Sequence, residues 1–73
     1  MPIIFSNHAL EQLRRRRISQ KKVIDAIRHY HQEISSFRDR KLRKMKIGDK
    51  LLEVVTKTEG SRIIVITAYF LEE

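Results

Sequence analysis

A histidine and a tyrosine near opposite ends of this sequence have the chemistry to move a proton or to contact a phosphate. His8 stands two residues after Ser6, which is a predicted helix N-cap. Histidine is also the side chain whose ordinary pKa suits proton transfer near neutral pH. Tyr69 lies near the end of the last apolar segment, with Thr67 two residues before it. Position alone leaves a second interpretation open, in which both are ordinary surface residues.

The other histidines do not extend this set to a metal site. His29 and His31 fall near the end of a predicted helix, where a histidine is compatible with the helix dipole. Helical residues two apart do not share a face, and the sequence contains no cysteine. We therefore predict no metal and no other cofactor.

The sequence is strongly basic, with 16 Lys and Arg against 9 Asp and Glu and a net charge of +7. Such a charge in a small folded domain indicates a polyanionic partner, most often a nucleic acid, although solvated faces that keep the domain soluble are the alternative. The four arginines of Arg14–Arg17 cannot act as a unit, because successive helical residues point about 100° apart. The residues predicted to contact nucleic acid are Arg14, Arg40, Lys41, Arg43, Lys44 and Thr67.

Two helices and a run of strands must position these residues. Ser6 predicts a helix from residue 7 to about residue 17, and Ser19 predicts a second helix that runs to about Tyr30. After Ser36 the apolar period changes from helical to strand-like. Strands are predicted at 41–47, 50–58 and 62–71, with turns at Gly48 and Gly60. The predicted class is α+β, with two N-terminal helices packed on a small antiparallel β-meander and a short strand before them.

Alternation along the last strand predicts which side chains contact the helices. The apolar set should face the helices, and it consists of Ile64, Ile66, Ala68 and Phe70. Thr67 and Tyr69 would then face the opposite, open side of the sheet, together with Ile63 and Val65. An open face on a basic domain is a natural binding surface.

Length and composition limit the class of protein. At 73 residues and 41 % apolar content, the chain suits one domain spanning residues 1–73. The longest apolar run, Ile63–Leu71, is far short of the roughly 20 residues that cross a bilayer. No basic n-region with a long apolar stretch precedes Ser6. We expect a soluble cytoplasmic protein with no membrane partner.

Short motifs at both ends of the chain resemble a known family. The helix motif is Ser6-Asn7-His8-Ala9, followed by Arg16 and by Ile18-Ser19, and the strand motif is Val65-Ile66-Thr67-Ala68-Tyr69. Together they resemble domain of unknown function 4258, a family similar to the BrnT-like and RelE-like toxins of toxin–antitoxin pairs. Gln12 stands where that family often has a second arginine, and Arg17 where it often has glycine.

The resemblance implies a RelE-like fold and metal-independent cleavage of RNA, including ribosome-associated RNA. His8, Arg16 and Tyr69 would be the catalytic residues. His8 would act as base or acid, and Tyr69 would orient the phosphate or stack on a base. Arg16, with Arg43 or Lys44, would neutralise the charge of the transition state. A cognate acidic antitoxin protein would be the partner. A non-catalytic nucleic-acid-binding module and a protein-interaction domain of the same fold are the alternative functions.

Overall fold

Within residues 1–36 and 38–71, which this computed structural model describes, the chain forms two helices packed on a five-stranded sheet. In chain order the elements are β1 (Ile3–Phe5), α1 (Asn7–Arg16), α2 (Gln20–Arg28), β2 (Gln32–Ser35), β3 (Arg40–Ile47), β4 (Lys50–Glu59) and β5 (Arg62–Leu71). The predicted α+β class and the short N-terminal strand are therefore confirmed. Neither helix of these two ranges has the length and apolar character that a membrane-spanning helix needs.

Both helices begin where their serine caps predict. The Ser6 hydroxyl accepts a hydrogen bond from the Ala9 amide at 3.0 Å, and the Ser19 hydroxyl accepts one from the Lys22 amide at 3.2 Å. These bonds satisfy amides that have no partner inside the helix. The second helix ends at Arg28, two residues earlier than expected, because the chain then turns into β2.

The sheet is mixed, with the strand order β1-β5-β4-β3-β2. The meander of β3, β4 and β5 is antiparallel as predicted, and its turns place Gly48 and Gly60 at φ of 62° and 60°. β1 pairs in parallel with β5, and β2 pairs antiparallel with β3 at the opposite edge. β2 is not predicted by the sequence, because this four-residue strand is exposed throughout and has no apolar alternation.

An irregularity in the pairing of β4 with β5 changes the predicted register. Val55 lies opposite Thr67 while the next residue, Thr56, lies opposite Val65, so Ile66 is an extra residue in β5. A bulge of this kind reverses the alternation of side chains along its strand.

The buried set of β5 follows from this bulge. Ile63 and Val65 are buried before the bulge, and Ala68 is buried after it, with Phe70 packed against the same core. The predicted core face was right for Ala68 and Phe70 and wrong for Ile64 and Ile66, and the predicted open face was wrong for Ile63 and Val65. Thr67 and Tyr69 keep the predicted open face, since both follow the bulge.

The joint between the helices depends on a residue in the left-handed conformation. Arg17 has φ 56° and ψ 42°, and the Ile18 amide donates to the Leu13 carbonyl at 2.9 Å. This bond closes the helix end and turns the chain so that Ile18 is buried in the core. Glycine reaches this conformation without the steric cost that a Cβ carries.

Replacing Arg17 by glycine should therefore stabilise the fold. We expect Arg17→Gly to raise the free energy of unfolding by about 1 kcal/mol, which is a Tm increase of about 4–8 °C in a domain of this size. Arg14→Gly removes the same charge from within α1 and should instead cost about 1 kcal/mol. Thermal unfolding followed by circular dichroism measures both changes, and an Arg17→Gly protein no more stable than the parent would contradict the assignment.

Candidate functional site

Arg16 reaches from the end of α1 to the uncovered edge of β5. Its Nη1 atom donates to the Thr67 hydroxyl at 3.0 Å and to the Ala68 carbonyl at 2.9 Å. Its guanidinium carbon lies 5.9 Å from the centroid of the Tyr69 ring, which is within the range of a cation–π contact. Three residues of the two sequence motifs, Arg16, Thr67 and Tyr69, therefore meet at one corner of the sheet.

The guanidinium of Arg16 is anchored by one nitrogen. Arginine carries five N–H donors, and both donors of Nη1 are used by β5. In the part of the chain that the structure describes, Nε and Nη2 have no hydrogen-bond acceptor, and the side chain is exposed to solvent. The corner therefore presents a cation of fixed position with donors that remain available for a phosphate.

Gln12 and His8 lie on the same stripe of α1 as Arg16, at intervals of four residues. The Thr67 hydroxyl donates to Gln12 Oε1, so Gln12 helps to hold the corner. His8 is exposed, and within residues 1–36 and 38–71 it has no hydrogen bond or ion pair. Its Cα lies about 12 Å along the helix axis from that of Arg16, because each residue rises 1.5 Å. His8 therefore shares the face of the corner without contacting it.

Tyr69 continues the site across the sheet to Glu53 and Lys44. These residues lie opposite one another on β5, β4 and β3, which places their side chains in one row on the open face. The Tyr69 hydroxyl donates to Glu53 Oε2, and Lys44 Nζ lies 3.9 Å from Glu53 Oε1. Glu53 is only 6 % exposed, so this row holds a buried carboxylate.

Glu53 is a residue of the site that was not predicted from the sequence. The available signal was one acidic residue inside the otherwise apolar run Leu51–Val55. A carboxylate is buried only at a considerable cost unless charges or donors compensate it. Its neighbours Tyr69 and Lys44 supply that compensation, and they become neighbours only when the strands pair.

Burial and the neighbouring carboxylate hold the Tyr69 phenol in its protonated form. Burial raises the pKa of Tyr69 most, the hydrogen bond to Glu53 and the charge of Glu53 raise it further, and the charge of Arg16 lowers it. The resulting pKa of Tyr69 is about 12, against an ordinary value of 10.0. At neutral pH this phenol is therefore a hydrogen-bond donor to Glu53 and, on its own, a poor base.

Two of the predicted cations lie on the helix-facing side of the sheet. Arg43 is 7 % exposed and donates from Nη1 to the Thr56 hydroxyl at 2.8 Å and from Nε to Glu33 at 3.1 Å. Its guanidinium also lies 5.8 Å from the Tyr30 ring centroid. Lys41 faces the same side, with Nζ 3.7 Å from Glu33. Neither side chain is brought to the corner with Arg16.

The remaining predicted cations are divided as well. Arg14 is two residues from Arg16 and so points about 200° away around α1, on the opposite side of the helix. Arg40 lies opposite Lys57 on the open face, in a different cross-strand row from Tyr69. Among the predicted nucleic-acid-binding residues, Thr67 lies at the corner and Lys44 in the row that leads from it.

Side chains that could bind a metal do not cluster in the described ranges, where no three His, Asp or Glu residues come together. The groups that the corner and its row bring together are a positioned guanidinium, a phenol and a carboxylate that share a hydrogen bond, and a lysine.

The chain belongs to the family described as Domain of unknown function (DUF4258), which it matches over residues 5–70. The match includes the helix motif from Ser6 to Arg16 and the strand motif up to Tyr69, so the family predicted from these motifs is confirmed. No curated protein and no solved structure gives a significant match to the chain.

The contact between Tyr69 and Glu53 can be tested by titrating the phenol. In a Tyr30→Phe protein Tyr69 is the one remaining tyrosine, and its phenolate absorbance should develop near pH 12. Because the folded pKa lies above the unfolded value, this contact stabilises the fold fully below pH 10 and is lost as the pH rises towards 12.

A second substitution isolates the contribution of the carboxylate. Glu53→Gln should lower the pKa of Tyr69, whereas Glu33→Gln, which alters a carboxylate on the other face, should leave it unchanged. A Tyr69 midpoint near 10 in the Tyr30→Phe protein would contradict the contact.

Proposed function

We propose that this member of the DUF4258 family acts on RNA at the corner formed by Arg16 and Tyr69, as a metal-independent endoribonuclease. The observation that supports this most is the meeting of the two family-like motifs. Arg16 of the helix motif donates to Thr67 and Ala68 of the strand motif, although 51 and 52 residues separate them in the chain. The resemblance to RelE-like toxins supplies the reaction class.

The reaction needs a base, an acid and a positioned cation from the chain. The 2′-hydroxyl oxygen of RNA attacks the adjacent phosphorus, and its proton passes to a base. The bond to the 5′ oxygen then breaks, and that oxygen takes a proton from an acid. The products are a 2′,3′-cyclic phosphate and a 5′-hydroxyl. Charge accumulates on the phosphoryl oxygens in the transition state, where a positioned cation stabilises it.

In this proposal each contribution comes from a particular side chain. Arg16 binds the scissile phosphate through Nε and Nη2, since Nη1 is held by β5. Tyr69, below the guanidinium, orients the phosphate or the neighbouring nucleotide. His8 lies on the same stripe of α1, and it can transfer a proton only where the bound RNA places a reacting oxygen within hydrogen-bond reach of its imidazole.

One observation favours a second candidate function, a module that binds RNA without cutting it. The Tyr69 hydroxyl already donates to Glu53, and its pKa of about 12 makes it neither a ready base nor a strong acid. A corner that only binds phosphate would use Arg16 and Lys44 in the same positions. The two functions differ in product formation and not in affinity.

The open face also supports an acidic partner protein, such as an antitoxin. Three large apolar side chains that are more than a third exposed, Ile4, Ile34 and Leu51, lie on this face by their strand register. Lys46 lies opposite Leu51, and Arg40, Lys44 and Lys57 share the open face by the same register. Aliphatic side chains among cations suit an acidic protein segment that buries apolar residues, and such a partner would cover the corner with Arg16.

Removing the Arg16 guanidinium should reduce cleavage strongly. We expect Arg16→Ala to lower the single-turnover rate on RNA by about 10²–10³-fold, the usual loss for one transition-state donor. Arg14→Ala removes the same charge from the opposite side of α1 and should change the rate less than about threefold. The assay uses excess chelator, and the uncleavable control is the same sequence with 2′-deoxy substitutions at every position.

The outcomes of this assay separate the candidate functions. Equal losses in Arg16→Ala and Arg14→Ala would contradict the corner as the site. Salt-sensitive RNA binding by a parent protein that cuts no RNA would favour the non-catalytic module. In a cleaving protein, His8→Ala should lower the rate by about 10²–10⁴-fold if His8 transfers a proton.

RNA binding should weaken steeply with salt. If four to six cations of the open face contact phosphates, affinity should fall about 10²–10³-fold between 50 and 200 mM salt. Lys44→Gln should reduce the slope of log K against log salt by about 1, whereas Arg14→Gln should not. Fluorescence anisotropy with a labelled single-stranded RNA measures both slopes, and a flat salt response would point to a protein partner.

A further inference from the structure

We infer that Tyr69 and Glu53 together form the proton acceptor of the site, with Tyr69 passing the proton of the 2′-hydroxyl on to Glu53. This inference rests on the proposed RNA cleavage and identifies its base. Glu53 is a positioning residue in this scheme, because it acts through Tyr69.

The geometry supplies a continuous path for the proton. The Tyr69 ring lies under the Arg16 guanidinium, where the phosphate would bind, and its hydroxyl donates to Glu53 Oε2. A phenol whose one proton is donated to a carboxylate can only accept a hydrogen bond from a substrate. A 2′-hydroxyl at the corner would therefore donate to Tyr69 Oη.

The transfer balances without any further reactant. The 2′-hydroxyl proton moves to Tyr69 Oη while the Tyr69 proton moves to Glu53 Oε2, and the freed 2′ oxygen forms its bond to phosphorus. Tyr69 is a neutral phenol before and after the step, so no phenolate forms. Glu53 becomes a neutral carboxylic acid and returns its proton to solvent after the product leaves.

The surroundings of Glu53 fit a functional carboxylate better than a packing residue. Its hydrogen-bond and ion-pair partners are Tyr69 from β5 and Lys44 from β3, and the Arg16 guanidinium lies above the Tyr69 ring. Lys44 Nζ lies 3.9 Å from the other carboxylate oxygen, Glu53 Oε1, while the Tyr69 hydroxyl donates to Glu53 Oε2. A buried ion pair adds little net stability over well-packed apolar residues, so the fold alone does not call for Glu53.

The test compares Glu53→Gln with Glu33→Gln, a matched change to the carboxylate on the helix-facing side. Single-turnover cleavage is measured from acidic to alkaline pH, beside RNA affinity. We expect Glu53→Gln to cleave about 10²–10⁴-fold more slowly and to lose the acidic limb of the pH profile, with RNA affinity within about threefold of the parent. Glu33→Gln should keep the parent profile.

Two further measurements separate this role from a structural one. In the double variant Glu53→Gln with Tyr69→Phe, the rate should be no lower than in the slower single variant, because the two residues act as a unit. An RNA with sulfur in place of the 5′ leaving oxygen needs no acid. That RNA should leave the Glu53→Gln defect in place, since the defect concerns the base.

Each contrary result overturns the inference. An unchanged acidic limb in Glu53→Gln, losses that multiply in the double variant, or rescue by the sulfur leaving group would each exclude the relay while leaving Arg16-dependent cleavage intact. A parent protein that cuts no RNA would exclude both the relay and the proposed function.

Discussion

The carbonyl edge of β5 that β1 leaves uncovered determines where the site lies. β1 has three residues and pairs only as far as Val65, whereas β5 continues to Leu71. Backbone carbonyls at such an edge need donors. Ser6 donates to Val65, and Arg16, ten residues later, donates to Ala68. The guanidinium therefore takes the place of a missing strand, and this anchors α1 and leaves the other arginine donors facing solvent.

The bulge at Ile66 decides which side chains share the corner with Arg16. Before the bulge, Ile63 and Val65 face the helices. Without the extra residue, the same alternation would carry Thr67 and Tyr69 to the helix side as well. The extra residue keeps Ala68 in the core and turns Thr67 and Tyr69 to the open face. One inserted residue thus keeps apolar side chains on the core side of β5 before and after the bulge. It also places Thr67 and Tyr69 on the other face.

Pairing of the strands also separates charges that are adjacent in the sequence. Arg43 and Lys44 are neighbours in β3, yet Arg43 is buried on the helix-facing side with Glu33 and Thr56, while Lys44 lies beside Glu53 on the open face. The basic side chains that give the net charge of +7 consequently do not form one continuous patch. The cations that can meet a polyanion at the corner are Arg16 and those of the open-face rows, because a strand sends consecutive side chains to opposite faces.

Local signals in the sequence determined the elements, and long-range pairing determined the site. The serine caps, the glycine turns and the change of apolar period predicted both helices, the three-stranded meander and the α+β class, since each depends on residues close together in the chain. Arg16, Thr67 and Tyr69 could be singled out from their motifs. Sequence alone could not place β2, whose side chains are exposed, or the bulge at Ile66, which depends on how β4 pairs with β5. It also could not reveal Glu53, because a lone acid in an apolar strand acquires its meaning only from Tyr69 and Lys44, which the fold brings to its side.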